Sequence, residues 1–125
     1  MSPFRRFVLA ALVLGTLAGP GAVPGFAHAL LRAAQPAPGS LLPAAPAWVR
    51  LTFSETVEPL FCKIKVTDAT GKQVDDGSVV SDPVDRRRLM IRLKPIPPGD
   101  YLVTWHATST DTHRTQGTFR FQVLK

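Results

Sequence analysis

Cysteine is nearly absent from this chain. A single residue, Cys62, in 125 positions excludes an internal disulfide and any zinc or iron–sulfur site built from several thiolates. Long apolar runs are missing as well. The N-terminal run Phe7–Ala18 has ten apolar residues of twelve, short of the roughly 20 that a bilayer-spanning helix needs. There is no sustained helical periodicity, no internal repeat and no low-complexity domain. No lysine- or arginine-rich helix and no basic–aromatic stripe is present, so nucleic acid is not an expected partner. The densest basic run, Arg86-Arg87-Arg88, reads as a solvated loop or strand edge.

The start of the chain is an export signal by pattern. Met1–Arg6 carries two arginines and no acid, Phe7–Ala18 supplies the apolar core, and Gly25-Phe26-Ala27 offers small residues at −3 and −1. Cleavage after Ala27 makes His28 the first mature residue. Cleavage after Ala29 obeys the same small-x-small rule and deletes His28; spacing alone leaves both open. The domains are therefore read as residues 1–27, a cleaved signal, and 28–125, the mature protein. Without the two leader arginines the formal +6 falls to +4, from 13 basic and 9 acidic groups.

What the mature chain does have is alternation. Trp48–Phe53 sets Val49, Leu51 and Phe53 on one face, and Phe61–Asp68 sets Cys62, Ile64 and Val66 opposite Lys63 and Lys65. Arg88–Leu93, Tyr101–Thr108 and Thr118–Lys125 repeat the pattern with Leu89/Ile91/Leu93, Tyr101/Val103/Trp105/Ala107 and Phe119/Phe121/Val123. A period of two is that of half-buried antiparallel strands. Between them lie turn formers such as Asp68-Ala69-Thr70-Gly71-Lys72 and Pro97-Pro98-Gly99-Asp100. The fold expected is all-β, an immunoglobulin-like antiparallel sandwich of about seven strands with Greek-key connections. Trp48 and Trp105 are both assigned to its core. Cys62 reads as a small buried hydrophobe, and His106, pointing away from Trp105, as a solvent-facing histidine.

The chemistry lies in the histidines. As a first residue, His28 would be a chelator by itself, its free amine and imidazole closing a small ring on a metal. Asp111-Thr112-His113 offers a second group, since residues i and i+2 of an extended segment project to one side and can reach one ion. Three nitrogens and one oxygen make a tetragonal set that suits Cu(II). On its own, D-x-H is also a common surface-loop sequence.

These residues occur within a longer order. It runs H-A-L-L-R-A-A-Q-P-A-P-G-S from His28, then L-T-F-S-E-T-V-E-P-L-F, then Y-L-V-T-W-H-A-T-S-T-D-T-H-R-T-Q-G-T-F-R-F. The order resembles the CopC family of periplasmic copper-binding, copper-resistance proteins over the whole mature chain. That resemblance implies a β-sandwich, a cut after Ala27, and a Cu(II) site made by His28, Asp111 and His113, with Glu55 as a nearby supporting carboxylate. It implies a periplasmic, non-enzymatic copper carrier or buffer in copper homeostasis and resistance. Its partners would be the copper ion and a copper-transporting inner-membrane protein or another periplasmic copper protein, and a monomer is expected. Some members also hold Cu(I) in a methionine-rich loop; the matching stretch, Asp75–Met90, has only Met90, so one Cu(II) site is expected. Two other classes stay open: a histidine-brace copper monooxygenase, and a metal-free immunoglobulin-like interaction module.

Overall fold

Alternation decides which side chains meet in the middle. The computed structural model describes residues 29–125; the expected signal over residues 1–27 and His28 lie outside the described residues. The chain forms β1 (Leu31–Gln35), β2 (Leu41–Leu42), β3 (Trp48–Phe53), β4 (Lys63–Asp68), β5 (Asp75–Ser81), β6 (Arg88–Leu93), β7 (Gly99–Thr108) and β8 (Arg114–Val123), with one 3-10 turn at Pro59–Phe61. One sheet has the order β1-β3-β6-β5 and the other β2-β8-β7-β4. That order is the two-sheet arrangement of immunoglobulin-type sandwiches. Every pairing is antiparallel except the short β2–β8 pair, which is parallel.

The inward positions are those the alternation predicts. Val49, Leu51, Phe53, Leu89, Ile91, Val66 and Val103 are all at most 1% exposed, and Phe121 is 2% exposed. Phe53 meets Trp105 edge-on at 5.3 Å, and Tyr101 stacks on Phe121 at 5.3 Å. The Tyr101 hydroxyl donates to the carbonyl of Pro97, the tyrosine corner that ties the start of β7 to its approach in this architecture. With no disulfide to link the sheets, this aromatic and β-branched filling holds them together.

Several expectations need correction. Trp48 is not in the core: it lies on the outer face of β3, half-buried, with the Arg92 guanidinium 4.8 Å above its ring. Phe61 is not part of a strand either, but sits exposed on the 3-10 turn, and β4 begins at Lys63. The last strand starts at Arg114, earlier than its alternation suggests, because the β7 ladder runs on to Thr108 opposite it. Arg86 and Arg87 are exposed as expected, whereas Arg88 is half-buried and bonds Asp82 and the Thr52 hydroxyl.

Two close contacts shape the second sheet. The outer edge of β4 is closed by its own chain: Asp75, itself buried, accepts from the Val66 N–H at 2.7 Å. Val74 N–H donates to the Val66 carbonyl, and Asp68 N–H to that of Lys72. On β8, Gly117 stands directly opposite Trp105, and a Cβ there would lie 2.7 Å from the indole ring. Gly117→Ala should therefore cost about 1–3 kcal/mol through overpacking. The expected result is a lower urea midpoint at unchanged m value; a midpoint equal to wild type would show that the indole moves aside freely.

Candidate metal centre

The β7–β8 hairpin makes its turn at Ser109–His113. Ser109 N–H donates to the His113 carbonyl at 3.0 Å and Thr112 N–H to the Ser109 carbonyl at 2.9 Å, which leaves three residues in the loop. Thr112 sits at φ 73, in the left-handed region. A three-residue hairpin loop characteristically ends in a left-handed residue, usually glycine. A β-branched side chain there is held at a cost of about 1–3 kcal/mol, a kind of strain that clusters at functional sites.

This turn, and not an extended segment, brings the two candidate ligands together. The expected i, i+2 geometry of a strand does not apply, because positions 109–113 curl. His113 Nδ1 lies 3.2 Å from Asp111 Oδ1. An ion held at about 2.0–2.2 Å from each atom, the usual range for nitrogen and oxygen donors, would subtend roughly 93–106° between them. The pair can share one ion without rearranging, at an angle between square and tetrahedral. Among the described residues no third His, Cys, Asp or Glu joins them.

Ser109 reinforces the charge on Asp111. It is 2% exposed, and its hydroxyl donates to Asp111 Oδ1. That bond, helped by His113, holds the Asp111 carboxyl below the ordinary carboxylate range. The anionic form of Asp111 thus persists further into acid than that of an ordinary aspartate, and the part it plays in folding stability is lost as the pH falls through its lowered folded-state pKa. The turn is also braced from the side. Val57 pairs with Ser109, Thr110 N–H donates to the Thr56 carbonyl at 3.4 Å, and Glu58 N–H to that of Thr108 at 3.0 Å. Glu55, half-buried, belongs to this bracing segment.

The first described residues arrive at the same end of the sandwich. Ala29 is fully buried, and its carbonyl accepts from Thr115 Oγ1 at 2.8 Å. Leu30 is bound on both sides by Ser54: its N–H donates to Ser54 Oγ at 2.9 Å, and its carbonyl accepts from Ser54 N–H at 2.8 Å. Ser54 lies directly before Glu55, and Thr115 two residues after His113. Sequence reasoning passed over Ser54, Ser109 and Thr115. For Thr115 the parity of β8 was the available signal, since counting back from Val123, Phe121 and Phe119 puts Gly117 and Thr115 on the inward side.

The other two candidates stand apart. His106 is exposed on the outer face of β7, opposite Lys63 and Gln116. Cys62 is 5% exposed and accepts from Thr108 N–H at 3.3 Å. Burial, aided by the charge of Glu58, pushes its thiol up despite that hydrogen bond, so it is not a ready thiolate ligand. In the metal-free protein, Ser109→Ala should move the Asp111 titration midpoint up towards ordinary carboxylates, followed by carboxyl-carbon NMR. An unmoved midpoint would show that the serine does not hold the charge.

Comparisons with known proteins complete the description of the site's setting. The family model described as "CopC domain" matches residues 31–124. The YobA protein of Escherichia coli K12 is 34% identical over 99 residues, 78% of this chain and 80% of that protein. The crystal structure of CopC from Methylosinus trichosporium OB3b superposes with a TM-score of 0.73 at 30% identity, covering 78% of this chain and 94% of that one. That of PcoC, a methionine-rich copper resistance protein from Escherichia coli, gives 0.69 at 32% identity, covering 78% and 99%. With the same sandwich, and a family match that spans both the Ser54–Glu55 segment and the Asp111–His113 turn, the chain belongs to the CopC family.

Proposed function

We propose that this protein is an exported Cu(II)-binding protein that carries or buffers copper in the periplasm. The observation that carries this reading is the Asp111–His113 pair, 3.2 Å apart, standing beside the fixed start of the described chain. Two donors alone hold a first-row ion weakly. Residue 28 adjoins the buried Ala29 and is a histidine. Cleavage after Ala27 gives it a free amine, and its amine and imidazole bring the donor count to four. Three nitrogens and one carboxylate oxygen favour Cu(II) over softer-ligand ions. Asp111 supplies one negative charge that offsets part of the ion's two, and Glu55 stands in the adjoining segment as a carboxylate able to bond an imidazole or a bound water.

Copper resistance is what PcoC is named for, and family membership supports the same role here. A Cu(I) site of the methionine type is not part of the proposal. The chain has two methionines, Met1 in the expected leader and Met90 on β6 between Arg50 and Val80. Soft thioether ligands would have to cluster to hold Cu(I). A carrier of this design works as a monomer, and its counterpart is another periplasmic or inner-membrane copper protein.

The test begins with the intact mass of the exported protein, which should place His28 first. Cu(II) titration followed by EPR should then give one equivalent in a tetragonal nitrogen/oxygen site. His113→Ala should weaken binding by more than the roughly 10–100-fold that loss of a supporting residue costs. His106→Ala and Cys62→Ser should leave affinity within about twofold of wild type. A mature chain beginning at Leu30, or an unchanged affinity in His113→Ala, overturns the assignment.

A further inference from the structure

Thr115 and Ser54 have no place in the ligand set, yet both commit hydrogen bonds to the two residues that follow position 28. We infer that Thr115, supported by Ser54, is a positioning residue for the amino-terminal ligand and sets both the affinity and the uniformity of the copper site. The inference rests on the copper reading above.

The argument starts from chain mechanics. An amino terminus is ordinarily the most mobile part of a domain unless something ties it down. Here the tie is unusually complete. The Ala29 methyl is buried in the core, the Ala29 carbonyl takes the Thr115 hydroxyl at 2.8 Å, and Leu30 is bound through both its N–H and its carbonyl by Ser54. Consecutive Cα atoms are about 3.8 Å apart, so residue 28 starts within one peptide unit of a fixed point. Thr115 stands on β8 two residues past His113, and its backbone pairs with Ala107 across the β7–β8 ladder. The strand that leads away from His113 thus also holds the segment next to position 28.

Such a tie orders the amino-terminal ligand before metal arrives, so binding loses less conformational freedom. It also allows one approach direction, and hence one ligand geometry. An untethered terminus would close its own two-nitrogen ring on copper in several orientations relative to Asp111 and His113.

The experiment compares Thr115→Val, which keeps the shape and loses the donor, with Thr115→Ser, which keeps the donor. Both are made in the exported protein, with its His28 terminus verified by mass, and in a chain beginning at Ala29 whose amine is acetylated. With Cu(II) as the probe, Thr115→Val should weaken binding by about 10–100-fold and broaden the copper hyperfine lines into more than one species. Thr115→Ser should stay within about threefold of wild type with a single species. In the chain lacking His28, the weak binding left to Asp111 and His113 should be the same with or without the Thr115→Val substitution, because there is no terminal ligand left to position. Equal loss in both backgrounds would mean a merely structural role and overturn the inference. So would wild-type affinity and line shape in Thr115→Val. If deleting His28 itself changes nothing, it is the copper-site assignment that fails.

Discussion

The ladder between β7 and β8 pairs Gly99 with Val123 at one end and Thr108 with Arg114 at the other without a break in register. That continuity fixes the side on which every β8 residue points. It sends Phe119, Phe121 and Val123 into the core, opposes Gly117 to the Trp105 ring, and leaves Thr115 on the same side at the hairpin end. A slip of one residue would turn all of them to solvent at once. Core packing and the placement of Thr115 are two results of one pairing, so neither can drift without the other.

The end of the sandwich is closed by the first described residues. Ala29 fills the space over the inward side of β8, and the Ser54–Glu58 segment braces the turn beyond it. The candidate site we propose therefore draws on three separated stretches, near positions 29, 55 and 111, which only the folded domain brings together. It is built on a tight turn, but one flanked by strands and braced by part-buried hydrogen bonds.

The strands with regular alternation were legible in the sequence. β3 and β6 have the residue bounds their patterns suggest, since six alternating residues between turn formers leave little choice. β1, with its sequence LRAAQ, and β5, with DDGSVVS, were not legible. Alanines, aspartates and a glycine carry no clear period of two, and both strands owe their existence to the edges they pair with. Asp111 and His113 were legible as a pair by residue type, but they meet across a turn where the sequence suggests an extended segment. A three-residue hairpin usually announces itself with glycine, and Thr112 occupies that position here without the signal. Thr115 and Ser54 were hidden for another reason: their role depends on a contact with residues more than twenty positions away.

The closure of the β4 edge bears on how the protein lives at high concentration. An open strand edge offers a row of unpaired donors and acceptors on which a second chain can add itself, the first step towards fibrous assembly. In β4 the groups at Val66 and Asp68 are already engaged by Asp75, Val74 and Lys72, and Lys63 and Lys65 add charge alongside. A buried aspartate on the next strand thus acts as a stopper. A second copy therefore finds the groups at Val66 and Asp68 already taken when it approaches this edge.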